Sequence, residues 1–217
     1  SVLNSQGQKG FKHDLDEILT PVERLLSGIE LTRECSPRTL DSIISVGERI
    51  SIAVVARALV ERGVPAIPVD ARDFVVTDAT FGAATVDKAE TARRFETLAD
   101  KWKDSVPIVT GFIGRTRDGH TTTLGRNGSD YTATLVAGLL KAQAVTVWTD
   151  VLGVMTADPA LVREAQPVDR LSYDEALELA YFGTRMFHPR TIIPLRECGA
   201  ALVIRSTTQP EAPGTRI

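Results

Sequence analysis

The residues best suited to chemistry lie in a glycine-rich passage in the middle of the chain. Gly111-Phe112-Ile113-Gly114 is followed by a polar excursion and then by Gly125-Arg126-Asn127-Gly128-Ser129-Asp130-Tyr131-Thr132. Four glycines let the backbone come close to a ligand. Ser129 or Asp130 then opens a helix, whose free N–H groups and dipole favour an anion. Arg126 adds a guanidinium fork that matches a carboxylate or a phosphate. Asp130 repels anions but can hold an ammonium group. A zwitterion such as an amino acid suits this set, as does a phosphate beside one. An ordinary long turn closed by a Ser/Asp cap would use the same residues. The passage lacks the lysine of G-x-x-x-x-G-K-[ST], and its glycines do not follow G-x-G-x-x-G.

The surrounding pattern predicts the elements that must hold this passage. Leu15, Ile18, Leu19, Val22, Leu25, Leu26 and Ile29 have helical spacing, with Pro21 expected to divide the segment or begin a second helix. The preceding polar residues read as a loop or frayed end. Ser36 and Pro37 form a helix start, and apolar spacing then runs through Leu40, Ile43, Ile44, Ile50, Val54, Ala58 and Leu59 to Gly63, with a break possible at Gly47. Strands are predicted at Val64–Val69, Phe74–Thr77, Pro107–Phe112, Val145–Trp148 and Ala201–Ile204. Helices are predicted between them, at Lys88–Trp102, Ser129–Ala142, Tyr173–Phe182 and Arg190–Glu197. This alternation predicts an α/β fold with a mostly parallel sheet covered on both faces. Ligands in such folds bind beyond the carboxyl ends of the strands, which directs attention to the residues after Phe112 and Trp148.

The bulk composition excludes several classes. The chain has 217 residues, 43% hydrophobic and 24% charged, with a net charge of −3, which gives no reason to expect a nucleic-acid partner. No apolar run approaches the roughly 18 residues needed to span a bilayer. Two cysteines far apart argue against a disulfide scaffold and for a cytoplasmic setting. Without a linker-like change in composition, residues 1–217 read as one domain.

Thr122-Thr123-Leu124-Gly125-Arg126-Asn127-Gly128-Ser129-Asp130-Tyr131-Thr132-Ala133 resembles the signature of aspartate kinases, members of the amino-acid kinase family. Four other stretches resemble that family in the same order. They are Ser45-Val46-Gly47-Glu48-Arg49; Trp148-Thr149-Asp150-Val151 with Gly153-Val154-Met155-Thr156-Ala157-Asp158-Pro159; Tyr173-Asp174-Glu175-Ala176 through His188-Pro189-Arg190-Thr191; and Ala212-Pro213-Gly214-Thr215.

The resemblance implies a three-layer αβα sandwich that passes the γ-phosphoryl group of ATP to the side-chain carboxylate of L-aspartate, a first step toward lysine, threonine and methionine. It implies Arg126 on the α-carboxylate, Glu48 and Asp130 on the ammonium, and Phe112 and Ser129 lining the site. Thr149, Asp150, Met155 and Arg185 fall to the nucleotide, with Mg2+ carried mainly by the ATP phosphates, no protein metal site, and a homo-oligomeric assembly. Taken singly, Glu48 and Arg126 would be ordinary surface charges and Phe112 ordinary core. His188 is expected to be a structural residue or helix cap, since a carboxylate nucleophile is already ionised and needs no base.

Met155, Ala160 and Arg185 depart from the tyrosine, arginine and lysine common in that family. The family's opening strand and Lys-Phe-Gly-Gly loop have no counterpart in these residues. The expectation is therefore an N-terminally incomplete catalytic domain without a regulatory domain, weak or inactive alone, and no catalytic lysine can be named. A ligand-binding partner without turnover is the alternative.

Overall fold

The computed structural model describes residues 5–158, 160–181 and 188–217. They form two compact units, Ser1–Ser129 and Asp130–Ile217.

The first unit opens with helix α1 (Ser5–Thr32), which is continuous through Pro21. The expected N-terminal loop and the division at Pro21 are thus both corrected. Pro21 lies on an exposed part of the helix, where water can satisfy the carbonyl that a proline strands one turn earlier. Helix α2 (Pro37–Ile44) begins as its sequence predicts, with Ser36 Oγ accepting from Thr39 N at 3.1 Å. The break before helix α3 (Val46–Val60) falls at Ser45 rather than Gly47, which lies in the first turn of α3. Helix α1 packs on α3, and Arg57 of α3 grips the Asp14 carboxylate.

The α2 burial pattern inverts the apolar spacing: Leu40 and Ile44 are exposed while Asp41 is only 1% exposed. Strand β1 (Ala66–Val69) pairs in parallel with β3 (Val106–Val109). Strand β2 (Val76–Thr77) pairs in parallel with β4 (Ile113–Thr116), which pairs antiparallel with β5 (Thr121–Thr123). The polar excursion of the glycine-rich passage is therefore a β4–β5 hairpin. Helix α4 (Lys88–Ala99), capped by Asp87 accepting from Glu90 N, covers this region. Phe74, Phe95 and Trp102 interlock edge-to-face with centroids 5.3–6.0 Å apart, a geometry the ring quadrupoles favour.

Helix α5 (Gly128–Leu140) carries the boundary between the units in its first turn. In the second unit β6 (Ala144–Thr149) pairs in parallel with β7 (Ala201–Ser206), and β8 (Thr215–Arg216) adds antiparallel. Helices α6 (Tyr173–Tyr181) and α7 (Pro189–Cys198) supply Ala176, Ile192 and Leu195 to a core with Leu202 and Ile204 of β7. Thr215, fully buried, ties this unit together: its Oγ1 accepts from Val154 N at 2.8 Å and donates to Val168 O at 2.6 Å. His188 is a helix cap as expected, its Nδ1 accepting from Arg190 N at 3.2 Å. The class is α/β with three parallel strand pairs, as the sequence alternation predicts.

Candidate active site

The carboxyl ends of β1 and β3 are locked together before the site begins. Thr110 N donates to Val69 O at 3.0 Å, and Thr110 Oγ1 accepts from Ala71 N at 2.7 Å. Beyond this lock the chain turns sharply. Phe112 adopts φ +67°, a left-handed conformation that costs a bulky residue on the order of 1–2 kcal/mol. Tertiary contacts hold it there: Leu124 N donates to Phe112 O at 2.8 Å. A Cβ on Gly128 would lie 2.8 Å from Phe112 Cδ2, so glycine makes room for the ring. Gly111 answers the same need on the other side, since a Cβ there would come within 2.8–2.9 Å of Ser129 Cβ, Oγ and Cα.

The second arm of the site is the turn from β5 into α5. Gly125 and Asn127 have φ of +73° and +55°, and Gly128 N donates to Gly125 O at 3.0 Å. These left-handed residues fold the turn tightly enough to present Arg126 and Ser129, both exposed, at the start of α5.

Glu48, Phe112, Gly125, Arg126, Asn127, Gly128 and Ser129 line one open cavity of about 580 Å³. Four of the five residues expected at a substrate are thus brought together, on three separate segments of the first unit. Phe112 is half-buried on the cavity wall rather than sealed in the core. Glu48 sits in the first turn of α3, half-buried, and burial pushes its carboxyl above the usual range. An ammonium brought beside it would favour the ionised form. Next to Glu48 in the chain, Arg49 Nε lies 3.5 Å from Asp70 Oδ2, and Arg72 forks onto the same carboxylate. Burial lowers the Arg49 pKa first, with the Arg72 charge adding to it.

Asp130 belongs to a different cavity. With Thr134, Val147, Trp148, Thr149, Thr191, Leu202 and Ile204 it lines a space of about 200 Å³ in the second unit. Thr149 Oγ1 donates to Asp150 Oδ1 at 3.0 Å, and Thr149 O accepts from Thr207 N at 2.7 Å. Met155 is half-buried and bridged to Pro167, away from the lining of this cavity. Arg185 lies outside the described residues. Among the described residues no group of three or more His, Cys, Asp or Glu could hold a metal ion. Pattern-reading missed Asp41, whose buried carboxylate accepts from Thr123 N, three residues before Arg126. A polar residue flanked by Leu40, Ile43 and Ile44 was the available signal.

The profile of the amino acid kinase family matches residues 5–206, and the chain belongs to that family. It is similar to chloroplastic aspartokinase 1 of Arabidopsis thaliana, with 41% identity over 204 residues that make up 92% of this chain and 36% of that protein. Against lysine-sensitive aspartokinase 3 of Escherichia coli the identity is 38%, over 90% of this chain and 45% of that one. The crystal structure of E. coli aspartokinase III in complex with aspartate and ADP superposes with a TM-score of 0.88 at 36% identity, covering 94% of this chain and 46% of that one. The chain therefore spans less than half the length of these relatives.

Proposed function

We propose that this chain is the catalytic region of an aspartate kinase, and that the first-unit cavity holds L-aspartate. One observation carries this reading: Glu48 and Arg126, opposite charges on different segments, line a single cavity with Phe112 and Ser129. Arg126 takes the α-carboxylate and Glu48 the ammonium. The side-chain carboxylate is left as nucleophile, ionised at neutral pH without a base. Its oxygen forms a bond to the γ-phosphorus of ATP as the β,γ-bridging P–O bond breaks, giving 4-phospho-L-aspartate and ADP. Positioning and charge neutralisation supply most of the catalysis in such a transfer.

The second unit takes the nucleotide at Thr149 and Asp150, with Asp130 beside Thr149 on the same cavity. Mg2+ would be carried mainly by the ATP phosphates. The bound ion would neutralise phosphate charge. Cys35 and Cys198 are both free and exposed, which suits a reducing cytoplasm.

A second reading is a member of this family whose cavity serves as a binding site alone. Such a chain binds aspartate without turning it over. Hydroxylamine trapping of ATP-dependent aspartyl phosphate separates the two. The kinase reading expects hydroxamate from the purified protein and its loss in Arg126→Ala. Aspartate binding with no hydroxamate supports the second reading, and equal turnover in Arg126→Ala overturns the assigned site.

A further inference from the structure

Asp41 does not line the cavity, yet its side chain is bonded to the segment that leads to Arg126 and its backbone to the start of the helix that carries Glu48. It is 1% exposed, and its carboxylate makes three hydrogen bonds to residues far away in the chain. Oδ2 accepts from Gly82 N and from Thr123 N, each at 2.9 Å, and Oδ1 accepts from Thr123 Oγ1 at 3.0 Å. Thr123 is the last residue of β5, two before Gly125 and three before Arg126.

Gly82 carries the same restraint to the turn by a second route. It has φ +87°, and its carbonyl oxygen would lie 3.2 Å from a Cβ on Gly125, so its backbone runs between Asp41 and the turn. On the helical side, Asp41 O accepts from Ser45 N at 3.1 Å, and Ser45 is the hinge from which α3 and Glu48 start. A single buried residue therefore joins the α2–α3 corner that carries Glu48 to the β5–α5 turn that carries Arg126.

We propose that Asp41 is a positioning residue that fixes the separation of the two charges reading the α-amino acid. This rests on the aspartate assignment above. A bidentate reading of one small zwitterion needs both charges held in register, and a misplacement of about 1 Å costs as much as 100-fold. A carboxylate suits the task because one buried group accepts three donors at once, and an alanine would leave all three without a partner. Loss of Asp41 therefore loosens the turn without removing any group that touches the ligand.

The test compares Asp41→Ala, Asp41→Asn and Thr123→Val with the unaltered chain. Aspartate affinity is measured by calorimetry at a temperature where circular dichroism shows each protein folded, alongside amide hydrogen exchange. Asp41→Ala is expected to bind aspartate about 10- to 100-fold more weakly and to exchange faster at Gly82 and Thr123 and through residues 125–128. Asparagine is isosteric: its oxygen can serve both N–H groups and its amide can donate to Thr123 Oγ1, so Asp41→Asn should stay within about threefold of the unaltered chain.

Aspartate affinity in Asp41→Ala within twofold of the unaltered chain would overturn the proposal, as would exchange unchanged in residues 125–128. Should Asp41→Ala not fold, Thr123→Val decides, since it removes one bond of the three: faster exchange and weaker binding support the pin, and no change in either refutes it. An unaltered chain that fails to bind aspartate defeats the functional reading instead, while the exchange pattern still reports on the pin.

Discussion

Replacing Gly111 by alanine strikes the site at its tightest backbone crossing. The added Cβ would stand 2.8 Å from both Cβ and Oγ of Ser129 and 2.9 Å from its Cα. Comfortable carbon contacts begin near 3.5 Å, so the overlap is roughly 0.6 Å or more. The hydroxyl can rotate away, but a backbone Cα cannot, so either the β3 end or the first turn of α5 must move. Forced packing of this kind costs about 1–3 kcal/mol, and a chain of this size loses about 2–4 °C in Tm for each kcal/mol. The function should suffer more than the fold, because the displaced atoms belong to Ser129 and adjoin Phe112, both on the cavity wall.

Gly111→Ala is expected to lower Tm by several degrees and aspartate affinity by at least about tenfold. Scanning calorimetry and binding titration give the two numbers. Ser129→Gly added to Gly111→Ala removes two of the three colliding atoms, so the pair should be less damaging than the sum of its singles. A Gly111→Ala protein with unchanged Tm and affinity, or a strictly additive pair, would show that the chains do not cross as closely as described.

Glu48→Gln should separate stability from binding. Burial raises the Glu48 carboxyl above its unfolded value of 4.5, so the fold favours the protonated form. That stability is fully present below pH 4.5 and is lost as pH rises through the folded pKa. Glutamine, neutral throughout, should therefore make the ligand-free chain more stable at pH 7 but not at pH 4, while weakening aspartate binding. Denaturant titrations at both pH values check this, and a gain independent of pH would refute the burial argument. Thr215→Val keeps the shape of the side chain but leaves Val154 N and Val168 O without their partner, an expected loss of about 2–4 kcal/mol in urea unfolding. His188→Ala removes the acceptor at the start of α7 and should cost about 0.5–2 kcal/mol, with His188→Asn recovering most of it.

Local chemistry made much of this architecture readable in advance. Ser36 and Pro37 announce α2 because a hydroxyl cap and a proline both suit the first turn of a helix, and His188 before Pro189 does the same for α7. The glycine-rich passage pointed to Arg126 and Ser129, and the resemblance to aspartate kinases added Glu48 and Phe112; all four line one cavity. What escaped depends on tertiary partners. Periodicity assigns Leu40 and Ile44 to the core, yet α2 turns Asp41 inward because the N–H groups of Gly82 and Thr123 need an acceptor there. The β4–β5 hairpin hides in a threonine- and glycine-containing stretch without apolar alternation. Ser129 and Asp130 are consecutive, and nothing local says that they line different cavities. Pro21 should break a helix, but α1 keeps it where solvent can reach.

Binding of L-aspartate and of N-acetyl-L-aspartate to the unaltered chain and to Arg126→Ala tests the central claim most directly. A site that reads both charges predicts measurable aspartate binding. It also predicts at least about tenfold weaker binding when the ammonium is masked by acetylation or the guanidinium is removed. Equal affinity for the two ligands, or an Arg126→Ala chain that binds aspartate as well as the unaltered one, would contradict it.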